Sequence, residues 1–86
     1  MARVANKLAE LTEQVNRNLP RNVRALMKKH EMSARMLGME LGLARTTIND
    51  RLAGYNEFRP DELFYLAYRF KVPVESLIDD VPPIDD

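Results

Sequence analysis

The sequence predicts an all-α protein, a compact bundle of five to six short helices. Three observations predict it. Apolar residues recur at spacings of three and four along most of the chain. No segment alternates apolar with polar residues as a half-buried strand would. Asn, Ser, Gly and Pro punctuate the periodic runs at intervals that suit short helices joined by loops of a few residues.

Taken in order, the first run is Val4, Leu8, Leu11 and Val15, one stripe of a helix of about four turns. Two readings stand side by side. The stripe packs onto the protein's own core, or its heptad-like spacing makes a dimerisation seam of Val4, Leu8, Leu11 and Val15. Asn18-Leu19-Pro20 is expected to break this helix and start another, with Asn as cap and Pro in a first turn. Residues 1–18 then form an N-terminal helical extension. In the second helix Val23, Leu26 and Met27 face inward, and Arg21, Arg24, Lys28 and Lys29 read as a solvated face. His30 ends it, a favourable charge near the negative end of the helix dipole with no catalytic role.

Ser33 caps the next helix, which carries Arg35, Met36, Leu37 and Leu41. Gly42 suits the left-handed conformation that stops a helix sharply. Another helix must begin near Ala44, because Leu43, Ile48 and Leu52 keep helical spacing, and Gly54 closes it. Tyr55 to Arg59 form a loop. Pro60-Asp61-Glu62 opens a helix with acids in its first turn and an inward stripe of Leu63, Leu66, Ala67 and Phe70. Val72-Pro73 separates it from a last short helix with Val74, Leu77 and Ile78, whose exposed part near Leu77 offers a second candidate dimer surface. Residues 79–86, with two prolines and four acids, are expected to be a disordered tail.

Eighty-six residues are one domain's worth, enough for a single small core. Cysteine is absent and His30 is the lone histidine, which excludes disulfides, thiolate metal sites and His-pair zinc motifs. No cofactor or metal is expected. No stretch approaches the roughly 18 apolar residues of a membrane span, and no apolar signal core opens the chain. A cytoplasmic protein with no membrane partner is the expectation.

The formal net charge is zero, but the charges are not evenly spread. Residues 17–59 hold nine basic residues against four acids, whereas residues 60–86 hold two bases against seven acids. A basic middle and an acidic end suit a polyanion-binding face with an acidic far side.

The segment "LGLARTTINDRLAG", residues 41–54, carries the functional signal. Two helices meet at a tight turn at Gly42, packed through Leu37, Leu41, Leu43, Ile48 and Leu52, with Gly38 allowing close approach. That is a helix-turn-helix arrangement. The second helix spends Ile48 and Leu52 on packing, with Leu43 at its entry. Its remaining polar side chains are free to enter a DNA major groove.

Over residues 19–78 the chain resembles the Cro and phage-repressor (XRE-type) helix-turn-helix family. "NVRALMKKHEMSARMLGMELGLARTTINDRLAG" is similar to that family's first three helices in order and spacing, and "LAYRFKVPVESLI" to its fourth and fifth. Ser33 stands at the family's capping serine, Gly42 at its turn glycine and Ile48 at its buried branched residue. The resemblance implies a lambda-repressor-like DNA-binding domain at 19–78. It departs from the family at Glu31, where glycine is frequent, and at Arg51, where a buried apolar residue is usual. The extension before Leu19 lies outside the pattern.

Arg45 and Thr46 match the family's leading base-reading positions, and Asn49 and Asp50 lie one turn on. Arg can grip guanine O6 and N7, Asn can grip adenine N6 and N7, and Asp can accept from cytosine N4. Asp50 has a second reading, an ion pair orienting Arg45 or Arg51. Ser33, Arg35 and Thr47 are expected at phosphates, with a simple cap as the favoured reading of Ser33 alone and a local helix contact as the alternative for Thr47. Arg51 would cover the core with its stem while its guanidinium reaches a phosphate. Tyr55, Asn56 and Arg59 occupy the loop that family members lay along the DNA backbone.

The expected function is therefore a sequence-specific transcriptional regulator of double-stranded DNA, most like a phage repressor or Cro-type protein in a bacterial cell or phage-infected host. With eight residues after the last helix, no ligand domain and no small-molecule ligand are expected. A homodimer, at least on DNA, is expected to read operator half-sites about 34 Å apart. The alternative is an antitoxin-type protein-interaction module that also binds its own promoter. An enzyme is not expected, since no pair of residues implies a nucleophile or a pocket.

Overall fold

The computed structural model describes the backbone of residues 2–83 and the side chains of residues 5–83. It is an all-α bundle of five helices: α1 (Ala2–Lys29), α2 (Ala34–Leu41), α3 (Arg45–Ala53), α4 (Pro60–Phe70) and α5 (Val74–Ile78). Strands are absent among the described residues.

The break expected at Asn18-Leu19-Pro20 does not occur. A single 28-residue α1 runs through it, with Pro20 inside. Proline in a helix interior costs about 3 kcal/mol, because it lacks an N–H and its ring crowds the carbonyl four residues back. Tertiary packing offsets that cost. Leu19, Val23, Leu26 and Met27 lie on one face of α1 and are all buried in the core, each worth roughly 1.5–3 kcal/mol of burial. The boundary between an extension and a domain thus falls in mid-helix.

The core gathers Leu37 from α2, Ile48 from α3, Phe58 from the following loop, Leu66, Ala67 and Phe70 from α4, and Leu77 from α5 around that α1 face. Leu77 is fully buried, which removes it from any dimer surface: α5 turns it onto α1, against which it packs.

Four of the five helices end the same way. Glu31, Gly42, Gly54 and Lys71 adopt left-handed φ angles of 53°, 71°, 88° and 58°. The next N–H folds back each time: Met32 to Met27 O at 2.8 Å, Leu43 to Gly38 O at 2.8 Å, Tyr55 to Asp50 O at 2.9 Å, Val72 to Ala67 O at 3.0 Å. These six-to-one bonds are Schellman closures, which satisfy carbonyls a helix end leaves open. Glu31 therefore takes the left-handed conformation that a glycine would take there, and the turn is kept.

α5 ends differently, with Asp79 extended. Its open carbonyls are served by side chains of α1. Asn22, fully buried, donates to Leu77 O at 2.9 Å and Asp79 O at 2.8 Å; Asn18 donates to Ile78 O at 3.2 Å and to the Asp80 carboxylate at 2.7 Å. Arg21 donates to Asp79 O at 2.9 Å and Asp80 O at 2.6 Å. The segment expected to be a disordered tail is thus held at its start by four α1 side chains, the fourth being Gln14, which donates to the Asp80 carboxylate at 3.3 Å. Residues 84–86 lie outside the described residues. Asn18 is a clamp, not a helix cap, and Arg21 is no longer part of a solvated face.

Candidate nucleic-acid interface

α2 and α3 are joined by residues 42–44 and pack against each other. Their approach is close because position 38 has no side chain. A Cβ on Gly38 would stand 2.5 Å from Leu43 O, inside any tolerable contact. Ser33 caps α2, its Oγ accepting from Met36 N at 3.1 Å, so its cap role is real. Arg35 is exposed beside it.

α3 is anchored by Ile48, which is fully buried, and by the half-buried Leu52. Its other end is tied to α1, because the Arg24 guanidinium donates to Leu52 O. Arg24 stays exposed, as a solvated face requires, but its guanidinium also ties α1 to the end of α3. Lys28 and Lys29 do remain exposed. At its N-terminus α3 has Ala44 as cap residue, with no side-chain bond to the first amides. These N–H groups stay open, at the positive end of the helix dipole.

Arg45, Thr46, Asn49 and Asp50 are exposed on α3, and Thr47 is half-buried. Among the described residues, none of the five side chains takes part in a hydrogen bond or ion pair with the rest of the chain. Asp50 pairs with neither Arg45 nor Arg51; the Asp50 group in use is its carbonyl, which accepts from Tyr55 N in the Gly54 turn. Tyr55 and Asn56 are exposed just beyond it. Arg59 is exposed in a surface ion pair with Asp61 at 3.5 Å, of a kind worth little in water.

Arg51 departs from expectation. Its side chain is only 12% exposed and its guanidinium meets the Glu62 carboxylate at 3.2 Å and Glu57 O at 2.6 Å. Committed inward on both sides, it is not a phosphate ligand. Glu62, itself 8% exposed at the side chain, also accepts from Arg59 N at 2.9 Å, closing the first turn of α4. An ion pair thus joins α3 to α4. The Arg51 Nε is buried without a partner, a residual cost of the arrangement.

A second polar cluster joins α2 to α4. Tyr65 donates its hydroxyl hydrogen to Glu40 at 2.7 Å, and Arg69 Nε donates to the same oxygen at 2.9 Å. The Tyr65 bond, with help from Arg69, holds the Glu40 carboxyl below its ordinary range and raises the Tyr65 phenol. Asp80 is likewise held low, chiefly by its bonds from Asn18 and Gln14. The partners that other elements bring to Asn18, Asn22 and Glu40 lie 25 to 62 positions away in sequence, and Arg51, the buried partner of Glu62, lies on another helix, beyond the reach of local spacing.

Of the proposed seam on α1, Leu8 and Leu11 are exposed and Val15 is half-buried against the core. The Val4 side chain lies outside the described residues. Among the described residues no group of His, Cys, Asp and Glu could hold a metal ion, and no helix is long and apolar enough to cross a membrane. No protein-family model matches this chain, and neither does any curated protein or solved structure with which it was compared.

Proposed function

We propose that this protein is a sequence-specific double-stranded DNA-binding regulator of the helix-turn-helix, lambda-repressor-like kind. In this reading α3 enters the major groove and α2 lies across the backbone. One observation carries it: a nine-residue helix held by Ile48, Leu52 and the Arg24 contact, which leaves Arg45, Thr46, Asn49 and Asp50 outward and unengaged. Arg45, Thr46, Asn49 and Asp50 read base edges. Ser33, Arg35, Thr47, Tyr55, Asn56 and Arg59 contact phosphates, helped by the open amides of α3.

The test is selection of bound sites from a randomised duplex pool with the wild type and with Arg45→Ala. An enriched motif is expected. Arg45→Ala should relax one base position at a cost of about 1–3 kcal/mol, while Arg59→Ala should weaken all sequences alike and reduce the salt slope by about one. No enrichment at low salt would overturn DNA binding. Equal losses on selected and random DNA for Arg45→Ala would remove that residue as a reader.

A further inference from the structure

From Ala5 to Glu13, α1 has little of this chain packed over it. Every residue from Ala5 to Glu13 is exposed, including Leu8 at 63% and Leu11 at 45%. The helix spans about 42 Å at 1.5 Å per residue, and the molecule's long axis is 43 Å. The radius of gyration, 13.4 Å, exceeds the roughly 12 Å of a compact chain of this length. The side chains Leu8 and Leu11 are not isolated. Together with Val15, Leu19, Phe58 and Leu63 they line a groove of about 490 Å³ between α1 and the segment that follows α3.

We propose that a second copy of this chain covers the groove, the two α1 helices crossing antiparallel about a two-fold axis between the levels of Leu8 and Leu11. Two arguments single out this occupant. The first is area. A monomer of 9.9 kDa is expected to expose about 5,200 Å², whereas this one exposes 6192 Å². The excess, on the order of 1,000 Å² by that scaling, matches the roughly 800 Å² that each partner buries in a standard interface.

The second argument is self-complementarity. Stripe positions 4, 8, 11 and 15 are separated by four, three and four residues, a spacing that reads the same in both directions. Antiparallel pairing about its midpoint sets Leu8 against the other copy's Leu11, and Leu11 against its Leu8, the layer pattern of an antiparallel heptad seam. The projecting leucines of each chain then enter the other's groove beside Phe58 and Leu63. Such an interface is isologous and closes at two chains, as a two-fold contact must.

This assembly does not depend on DNA, so it is tested without DNA. Sedimentation equilibrium of the full chain should give twice 9.9 kDa at micromolar concentration. Leu11→Glu, at an exposed position, should return the mass to that of one chain while helix content and cooperative unfolding persist. Because cysteine is absent, Leu8→Cys and Leu11→Cys chains can be mixed under oxidation. Crosslinks between the two variants should dominate over crosslinks within either one. Predominance of same-variant crosslinks would overturn the antiparallel register, and a Leu11→Glu dimer would overturn the surface. A monomeric wild type would overturn the proposal and leave the groove to a helix of a different protein.

Discussion

Arg51 and Glu62 show what a single position can exchange. A charge stands where an apolar side chain would serve, and the fold accommodates it by burying its partner alongside it. Removing one member of such a pair leaves an uncompensated buried charge, which costs about 3–5 kcal/mol, whereas replacing both with apolar residues of similar volume is often neutral or better. Arg51→Met and Glu62→Leu should each destabilise by several kcal/mol on that basis, and the double variant should recover most of the loss. A double-mutant cycle by urea unfolding measures the coupling. Near-zero coupling would mean that the two groups are solvated independently. Gly38 is a second single-residue constraint: its bare backbone lets Leu43 O approach, so Gly38→Ala must push α2 and α3 apart.

At the scale of the helix, the recurrent device is the left-handed closing residue. Gly42 and Gly54 adopt it freely, while Glu31 and Lys71 do so against the steric cost of a Cβ, about 1 kcal/mol or more. Glu31→Gly should therefore raise stability by about 0.5–1 kcal/mol, less than the full strain because glycine also gains freedom in the unfolded chain. For a domain of this size that is a rise in Tm of about 2–8 °C, read by thermal unfolding. Unchanged or lower Tm would show that the Glu31 side chain contributes something the left-handed turn alone does not. Helix ends were the most readable feature of the chain. Ser33, Gly42 and Gly54 act within one turn of their own positions, so neighbouring residues suffice to place them. Pro20 behaves otherwise for the converse reason: its local preference is to start a helix, and burial of the α1 face outweighs it.

For the whole molecule, the bonds that join distant helices also set the response to pH. Glu40 and Asp80 are carboxylates held low in the folded state, so their contribution is present above the ordinary carboxylate range and lost as pH falls through their lowered values. Tyr65 is raised, so its contribution is present below the ordinary phenol range and lost as pH rises through its raised value. Stability measured against pH should fall on both sides. Tyr65→Phe should flatten the alkaline arm and part of the acid arm, since the same hydrogen bond lowers Glu40; Asp80→Asn should flatten only the acid arm. An alkaline arm unchanged in Tyr65→Phe would mean that another group governs it.

The sequence by itself determined the all-helical class, the ends of α2 and α3, most of the apolar core, and an α3 whose Arg45, Thr46, Asn49 and Asp50 face outward. Helical period, capping chemistry and glycine's access to positive φ are properties of a few adjacent residues. Only the tertiary structure decided that α1 is continuous, that Arg51 turns inward to Glu62, that Leu77 is core, and that Asn18, Arg21 and Asn22 hold the end of α5. Each of these depends on a partner brought close by folding. A polar side chain that looks free in a local stretch is committed or left open by what the other helices place beside it.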